Sequence, residues 1–190
     1  MIYDVIDDLM PKQFNDYMIN QIIKTNRWRQ SISELHSRES IEDSGMVMLT
    51  FPNRDNDHIH YTLNVLNDVI LDAALTAHSS TGVFHNIEVD RYMFNLYNKT
   101  SICGSHQDVT LTGQNPGQYL STFIYTFSDG DGYNIVADEK IESKAGRCIL
   151  FSSYDSHVAY PPTNTSHRYT LNCQFKYTSY ERFNDSYGTG

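Results

Sequence analysis

The chain has 190 residues, enough to bury the core of one domain. Its 23 aspartates and glutamates outnumber its 14 lysines and arginines, and the resulting net charge of -9 repels phosphate backbones and disfavours a nucleic-acid partner. The sequence shows no secretory signal pattern and no apolar run of about 18 residues, so we expect a soluble protein without a membrane partner. Its three cysteines are far apart and odd in number, which favours neither a disulfide framework nor a zinc cluster and suits the reducing cytoplasm.

Residues 1–82 are predicted to form a mainly helical support region. Residues 1–8 alternate loosely, as an edge strand does, and Pro11 suits the first turn of a helix. From Phe14 onward, apolar residues recur at helical spacing, so this helix should end near Thr25 after roughly four turns.

A long loop and a second helix follow. Residues 30–45 are polar, charged and weakly periodic, which predicts a loop that acts as a substrate lid or is disordered. Residues 46–51 predict a short strand. From Ile59 to Ala77, apolar positions at helical spacing predict an amphipathic helix of about twenty residues that ends before Gly82.

Five histidines in this part of the chain are interpreted as surface or helix-cap residues. His58 and His60 are two positions apart, and such residues do not share a face of a helix. His36, His78 and His85 have no carboxylate at the spacing that metal ligands need.

After Gly82 the pattern changes to the period of two of a β-strand. Strands are predicted at residues 87–97, 119–127, 133–137, 140–142, 147–151, 156–160 and 167–177, with turns at 128–132 and 144–146. Short strands at this spacing favour a sandwich or barrel. The expected fold is therefore α+β and mainly β, with residues 83–178 as an all-β core covered on one face by the N-terminal helices. Residues 179–190 should form a frayed tail.

One histidine and one arginine stand out near the C-terminus. His157 comes eleven positions before Arg168. Pro161 and Pro162 lie between them and cannot continue a central strand, so the segment predicts strand, turn, strand. The two side chains can then lie level on neighbouring strands, as a metal ligand beside an anion clamp.

The upstream partner of this pair is His106-Gln107-Asp108. The period of two along a strand puts His106 and Asp108 on one face. With His157 they would supply two imidazoles and one carboxylate. That set is the facial triad of a non-haem Fe(II) oxygenase, which leaves three positions open for co-substrate and O2.

The last predicted strand has one polar and one apolar face. If Arg168 points inward, so do Thr170, Asn172 and Gln174, while Tyr169, Leu171, Cys173 and Phe175 point outward. A barrel that holds an anionic ligand would have such a polar interior. An ordinary amphipathic edge strand has the same pattern, so this strand alone leaves both interpretations open.

Together, His106-x-Asp108, the distant His157, and Arg168 at the start of Arg-Tyr-Thr-Leu-Asn-Cys-Gln-Phe resemble the 2-oxoglutarate- and Fe(II)-dependent dioxygenases. Within that superfamily they look most like the prolyl 4-hydroxylase group, over residues 87–177. The resemblance implies a double-stranded β-helix, which is a jelly-roll, cupin-like barrel, within a single domain of residues 1–190. It also implies Fe(II), 2-oxoglutarate as co-substrate, O2, and ascorbate as reductant.

The resemblance assigns roles to individual residues. His106, Asp108 and His157 would bind Fe(II), and Arg168 would bind the 5-carboxylate of 2-oxoglutarate through a charge-assisted pair. Tyr97, nine residues before His106, matches the family tyrosine that hydrogen-bonds 2-oxoglutarate.

Further residues are assigned from one strand of the family. The segment from Thr122 resembles the family's Thr-[Leu/Val]-x-x-Tyr-Leu-Asn strand, which places Thr122 and Thr126 at the co-substrate. The candidate pocket wall consists of Ile124, Thr170, Asn172 and Gln174.

The sequence departs from the family pattern in the substrate-facing region. Thr100 stands where the family commonly has glycine, Cys103 where plant-like members have an aromatic residue, and Thr126 where the family has tyrosine. The family's Gly-Gly-Glu run is replaced by Gly-Asp-Gly-Tyr at 130–133. The loop at 98–105 can therefore differ in shape, and like the loop at 30–45 it is a candidate lid.

Three functions remain open from the sequence. The first is hydroxylation of a peptidyl residue, above all proline, and the second is the same chemistry on a free amino acid or other small metabolite. The third is a jelly-roll protein that binds a ligand without turnover. Asp108 favours an enzyme over the third function, and it also argues against a halogenase, which needs the carboxylate position vacant for chloride.

Overall fold

The computed structural model describes residues 2–24, 29–30, 46–50, 58–79, 82–101, 103–108 and 119–182. These residues form two helices, α1 (Lys12–Lys24) and α2 (His58–His78), and no described helix is both long and apolar enough to cross a membrane. They also form twelve strands. The strands are β1 (Ile2–Ile6), β2 (Arg29–Gln30), β3 (Met46–Thr50), β4 (Gly82–His85), β5 (Glu88–Asn98), β6 (Tyr119–Thr126), β7 (Tyr133–Val136), β8 (Glu139–Glu142), β9 (Cys148–Ser152), β10 (His157–Tyr160), β11 (His167–Tyr177) and β12 (Ser179–Arg182).

The described strands pair antiparallel in three sheets. The largest sheet has seven strands in the order β1-β9-β6-β11-β5-β3-β2, and a smaller sheet has the order β10-β7-β8. Strands β12 and β4 form a pair of their own. Because β11 pairs with β6 on one side and β5 on the other, it lies at the centre of the large sheet.

The helices and the strands predicted at 46–51 and within 83–178 are confirmed to within two residues at their ends, and β1 is an edge strand as predicted. The prediction of a frayed tail is wrong for Ser179–Arg182, which form β12 and pair with β4. Strand β4, at 82–85, was not predicted at all. Their pairing joins residues almost a hundred positions apart, a contact that no local sequence pattern indicates. Residues 183–190 lie outside the described part of the chain.

The apolar face of β11 packs into the main hydrophobic core. Leu171, Cys173 and Phe175 have no exposed surface. The same core contains Met18 and Ile22 of α1 and Leu63, Ile70 and Ala74 of α2. Burial of these side chains is the main favourable contribution to the fold. Both helices therefore contribute to the core on this side of the large sheet.

Two buried tyrosines hydrogen-bond the sheet to the helices. The hydroxyl of Tyr125 donates to Oδ1 of Asn15 at 2.5 Å, and the hydroxyl of Tyr92 donates to the carboxylate of Asp68. Burial raises the pKa of both hydroxyls, so both remain donors at neutral pH. Each helix is thus fixed to the sheet by a directional contact as well as by apolar packing.

A second apolar cluster lies between the large and the small sheet. Its buried members are Ile124, Val136, Ile141, Ile149 and Phe151, from β6, β7, β8 and β9. Because β6 and β9 belong to one sheet and β7 and β8 to the other, the two sheets pack face to face here. The space between them is thus partly filled with apolar side chains.

His78 is buried, so its interpretation as a surface or cap residue is wrong. Its side chain has no exposed surface, and its Nδ1 lies 3.2 Å from Oδ2 of Asp4 in β1. The last turn of α2 lies against the edge strand β1, a contact between residues 74 positions apart that helical periodicity does not reveal. His85 is exposed, as predicted.

The end of β1 is joined to the turn between β8 and β9 by ion pairs. Arg147 binds both carboxylate oxygens of Asp7, with Nε at 2.6 Å and Nη2 at 2.9 Å, and Lys144 contacts Asp7 and Asp8 at 3.2 and 3.0 Å. The hydrogen bond from Arg147 is the main reason that the pKa of Asp7 falls to about 2. Since this value lies below the ordinary 3.8, the ion pairs stabilise the fold above about pH 4, and that contribution is lost as the pH falls towards 2.

We predict that Asp7→Asn lowers the free energy of unfolding by about 0.5–1 kcal/mol at pH 7, the range of a partly exposed ion pair. The difference between variant and wild type should shrink between pH 4 and pH 2, because the wild-type carboxylate becomes protonated there. Urea denaturation at several pH values measures both effects. Asp16→Asn, which breaks an exposed pair with Lys12, is the matched control and should change stability less. An Asp7→Asn effect that does not depend on pH would contradict this account.

Candidate metal centre

A short backbone bridge brings the two predicted ligand segments together. The amide of His106 donates to the carbonyl of His157 at 3.0 Å, and the amide of His157 donates back to His106 at 2.9 Å. The amide of Asp108 donates to the carbonyl of Ser153 at 3.0 Å. Residues about fifty positions apart are thus held side by side, at the start of β10.

The three predicted ligand side chains converge. Nε2 of His106 lies 3.7 Å from Oδ1 of Asp108, and Nε2 of His157 lies 3.5 Å from Oδ2 of the same carboxylate. The three ligand atoms lie within 4.8 Å of one another. Neighbouring ligands with bonds of ~2.1 Å to one metal ion are about 3 Å apart, so small adjustments of the side chains would complete a site.

The hydrogen bonds of the two imidazoles turn the Nε2 atoms towards this point. Nδ1 of His106 lies 3.0 Å from the carbonyl of Gly104, and Nδ1 of His157 lies 3.3 Å from the carbonyl of Asp155. A carbonyl is an acceptor, so each Nδ1 carries the proton and each Nε2 keeps its lone pair. Metal-bound histidines in proteins usually donate their other ring nitrogen in this way.

His157 has the properties of a metal ligand. Its Nε2 is buried and has no hydrogen-bond partner. Burial, the largest cause, lowers the pKa of His157 to about 4, so the imidazole is neutral at physiological pH. Neutral imidazole is the form that binds metals. A buried, unpartnered nitrogen that faces a carboxylate at 3.5 Å fits a divalent cation.

The carboxylate of Asp108 accepts from one hydroxyl, which is in turn in contact with a second. Oγ1 of Thr122 donates to Oδ2 of Asp108 at 2.8 Å, and Oγ of Ser153 lies 2.8 Å from the same Thr122 oxygen. Thr122 was predicted to contact the co-substrate. In the structure its hydroxyl donates to the carboxylate of Asp108, one of the three candidate metal ligands.

Arg168 is a buried cation. Only 1% of its surface is exposed, and Nη1 donates to the carbonyls of Tyr133 and Tyr160 at 3.3 Å each. Nε and Nη2 have no partner, and no described carboxylate pairs with this guanidinium. Burial lowers the pKa of Arg168, yet an arginine stays charged in proteins. An unpaired buried charge is unfavourable, so the site fits an anionic ligand.

The departure at 130–133 from the family pattern has a structural explanation. A Cβ on Gly132 would lie 2.9 Å from Cδ of Arg168 and 2.9 Å from the carbonyl oxygen of Tyr160, so only glycine fits there. The carboxylate of Asp131 accepts hydrogen bonds from backbone and side-chain donors of Thr163, Asn164 and Thr165, and these lower its pKa. Residues 131–132 therefore fix the turn before β11 and leave room for Arg168.

The predicted pocket residues share one face of the large sheet. Tyr97 of β5 pairs directly with Arg168 of β11. The guanidinium carbon of Arg168 lies 5.4 Å from the centre of the Tyr97 ring. The register places Thr126, Ile124 and Thr122 of β6 opposite Thr170, Asn172 and Gln174 of β11. Ile124 belongs to the second apolar cluster, whereas Thr126, Thr170 and Gln174 are buried polar residues. In β11 the polar and the apolar side chains lie on opposite faces of the large sheet, as the alternation predicts.

Of the two predicted lids, only the loop at 98–105 lies mainly within the described residues. Residues 31–45 lie outside the described part of the chain, and so does Ile102. In the other loop, the backbone carbonyl of Asn98 accepts from the amide of Ser101 at 3.0 Å, and its side chain accepts from Thr100 at 2.9 Å. Ser105 contacts Ser156 through their hydroxyls at 2.7 Å. The described part of this loop thus has a hydrogen-bonded turn, which the sequence did not predict.

Four supporting residues were missed: Gly104, Ser153, Asp155 and Asp131. The first and third act through backbone carbonyls, which any residue type supplies. Ser153 looks like an ordinary turn residue beside Tyr154. Only Asp131 gave a signal, because it lies in the run that departs from the family's Gly-Gly-Glu pattern.

No protein-family model matches the sequence, and no curated protein matches it. Solved structures match it in fold. A viral collagen prolyl hydroxylase from Paramecium Bursaria Chlorella virus-1, in complex with 2-oxoglutarate, is 14% identical with a TM-score of 0.63, over 91% of this chain and 94% of that chain. A non-haem α-ketoglutarate-dependent carbocyclase of nogalamycin biosynthesis is 10% identical with a TM-score of 0.64, over 90% and 78%.

A prolyl hydroxylase from Trichoplax adhaerens, in complex with a peptide of hypoxia inducible factor, is 13% identical with a TM-score of 0.58, over 92% and 82%. This chain has the fold of the Fe(II)/2-oxoglutarate oxygenases. The predicted superfamily resemblance, with prolyl hydroxylases among the similar structures, is therefore confirmed at the level of the fold. The similar structures are oxygenases, and the described part of this chain shares with them a mainly β fold of antiparallel sheets.

We predict that Mn(II), a redox-inert substitute for Fe(II), binds this oxygenase fold with one-to-one stoichiometry. Asp108→Ala should abolish tight binding because it removes the only carboxylate of the described ligand cluster. Titration followed by the EPR signal of free Mn(II) measures this. Asp72→Ala, an exposed carboxylate on α2, is the matched control and should bind as the wild type does. Equal Mn(II) affinity in the Asp108→Ala variant would show that the metal binds elsewhere.

Proposed function

We propose that the protein is an Fe(II)- and 2-oxoglutarate-dependent dioxygenase that hydroxylates an unactivated C–H bond. One observation carries the proposal: the fold brings a His-Asp-His cluster and a buried, unpaired arginine to the two ends of one short strand. A cluster of three candidate metal ligands alone suits many functions. Such a cluster together with the buried guanidinium of Arg168 suits an anion that contacts both.

His106, Asp108 and His157 would hold Fe(II). Two neutral imidazoles and one carboxylate leave the ion with a net positive charge and open positions, as non-haem oxygenases require. When bound, Fe(II) and 2-oxoglutarate supply the oxidising chemistry with O2, while the protein supplies position and electrostatics.

Arg168 would bind the distal carboxylate of 2-oxoglutarate. His157 begins β10 and Tyr160 ends it, so the guanidinium that contacts the Tyr160 carbonyl lies roughly one four-residue strand, ~10 Å, from the ligand cluster. A five-carbon dicarboxylate that chelates a metal with one end can place its other carboxylate at such a distance. Nε and Nη2 of Arg168 would donate to it, which satisfies two buried donors at once.

The neighbouring residues would orient this co-substrate. Tyr97 faces Arg168 across the strand pair and could donate its hydroxyl to 2-oxoglutarate. Thr126, beside Thr170 on the polar face, is smaller than the tyrosine that the family resemblance implies at this position. Ile124, in the second apolar cluster, would help to exclude water from the wall behind the site.

We place a peptidyl proline first among the substrates. Prolyl hydroxylases are prominent among the similar structures, and one of them was solved with a peptide. The acidic chain would favour encounter with neutral or basic peptides. A small metabolite is the second candidate, since enzymes of nogalamycin biosynthesis match with comparable TM-scores of 0.64 and 0.62.

We also propose a barrel closure, a domain organisation, a reductant and a compartment for this chain. The two sheets would close into a barrel with the helices on one outer face, within a single domain comprising the support region, the jelly-roll core and a tail that begins after β12. Ascorbate would serve as reductant. A reducing, cytoplasmic setting is proposed from the three cysteines, which are far apart in sequence and odd in number.

We predict succinate formation from 2-oxoglutarate when Fe(II) and ascorbate are present and a prolyl peptide is supplied. The measurement is succinate release across a panel of prolyl peptides and free amino acids, with product mass shifts to locate the added oxygen. Asp108→Ala is the inactive control. If only free amino acids are turned over, the protein is a small-molecule hydroxylase. If protein that binds metal and 2-oxoglutarate forms no succinate with any substrate, it is the binding protein without turnover.

A further inference from the structure

Arg91 is a second arginine on the polar face of the large sheet. It lies in β5 and pairs with Gln174 of β11. Six positions further along β5, Tyr97 pairs with Arg168, and no bulge interrupts the pairing between these two points. Because side chains alternate along a strand, Arg91 and Arg168 lie on the same face of the sheet, about 20 Å apart along the strands. The two arginines are thus at opposite ends of this face.

Arg91 lies at the end that carries the metal cluster. Gln174 pairs with Thr122 on its other side, so these residues and Arg91 form one row across three strands. Neighbouring strands are about 4.8 Å apart, which puts Cα of Arg91 about 10 Å from Cα of Thr122. The Thr122 hydroxyl donates to Asp108, one of the candidate metal ligands. The long side chain of Arg91 therefore begins level with the metal cluster, two strands away.

No carboxylate among the described residues pairs with the guanidinium of Arg91. Its Nε is buried without a hydrogen-bond partner. The adjacent acid, Asp90, pairs instead with Lys176 at 3.5 Å. Asp108 contacts the two histidines of the cluster and Thr122. The half-buried Arg91 side chain thus keeps a positive charge and an unused donor at this end of the face.

A buried donor without a partner is unfavourable, so this position favours an anionic group. We infer that Arg91 is a specificity-determining residue that binds a carboxylate of the substrate. This inference rests on the proposed function and narrows its substrate class. A co-substrate that extends from the metal to Arg168 leaves Arg91 free, because Arg91 is level with the metal ligands. The fork of donors of a guanidinium matches both oxygens of a carboxylate.

The net charge of the chain acts at a different stage of binding. The charge of -9 opposes the long-range encounter with anions. The half-buried Arg91 acts on the bound molecule, where water screens the attraction less. A substrate with one carboxylate near its reactive C–H bond suits both conditions. That carboxylate has two sources: the α-carboxylate of a free amino acid, or an acidic side chain beside a proline in a peptide.

The test compares probes that differ in the carboxylate. L-Proline and L-prolinamide represent the free amino acid, and acetyl-Glu-Pro-Gly-amide and acetyl-Gln-Pro-Gly-amide represent the peptide. Calorimetric titration into the full chain with Mn(II) and 2-oxoglutarate measures their binding without turnover. Arg91→Gln removes the charge, and Arg91→Lys keeps it. Lys12→Gln, which removes an exposed cation on α1, is the matched control for net charge.

The wild type should bind at least one acid probe about tenfold more tightly than the neutral member of the same pair, the lower end for a hydrogen bond to a charged group. The pair that shows this preference identifies the source of the carboxylate. Arg91→Gln should lose the preference and bind the neutral probe as the wild type does. Arg91→Lys should keep part of the preference because it keeps the charge. Lys12→Gln should keep all of it.

A wild type that binds none of the four probes, or binds acid and neutral probes alike, would overturn the inference. A preference that is undiminished in Arg91→Gln would do so too. If circular dichroism shows that Arg91→Gln does not fold, Arg91→Lys decides: a weaker preference supports the inference and an unchanged one overturns it. A wild type that binds neither Mn(II) nor 2-oxoglutarate would overturn the proposed function. Normal binding of both without a preference for either acid would overturn only the role of Arg91.

Discussion

The structure depends on the two faces of one central strand. β11 has neighbours on both sides in the large sheet, and its side chains alternate between the hydrophobic core and the space between the sheets. Leu171, Cys173 and Phe175 belong to the core that the helices share. Arg168 and Thr170 face the other way. A slip by one residue would bury the charge in the core and expose the phenylalanine to the site, so the register is strongly specified.

The polar face of β11 carries a buried charge that no described carboxylate neutralises. A guanidinium with 1% exposure and two unpartnered nitrogens is unfavourable in a protein interior unless an anion pairs with it. The surroundings maintain this state: Gly132 leaves the space, two carbonyls hold Nη1, and Asp131 fixes the adjacent turn. Such preorganisation is what binding and catalysis need, since the site does not have to rearrange when the ligand arrives.

The cluster of His106, Asp108 and His157 is also held together by a few backbone contacts. The backbone bridge between His106 and His157 joins the segment after β5 to the small sheet, and the amide of Asp108 is bound to the turn before that sheet. The ligands are therefore positioned by backbone hydrogen bonds, while their side chains are oriented by the carbonyls of Gly104 and Asp155. Rigid support of this kind explains how two chain segments can form one site.

Much of this arrangement could be predicted from the sequence, and what could not has physical reasons. Strands such as β11 show a clear period of two, and histidine, aspartate and arginine at the matching positions limit the chemistry. The pairing of β4 with β12 joins residues almost a hundred positions apart, and the burial of His78 depends on where α2 ends against β1. The contact of Thr122 with Asp108 depends on a turn about thirty residues away, so the sequence could place Thr122 at the site but not assign its partner.

The central claim is that one ligand binds both to Arg168 and to a metal ion held by His106, Asp108 and His157. Calorimetric titration of 2-oxoglutarate into the protein with and without Mn(II), and into Arg168→Lys with Mn(II), tests it most directly. The account predicts measurable binding only when Mn(II) is present, and a dissociation constant about ten times higher for Arg168→Lys, because lysine keeps the charge but loses the two-pronged contact. Equal affinity with and without Mn(II), or an unchanged affinity in Arg168→Lys, would contradict the claim.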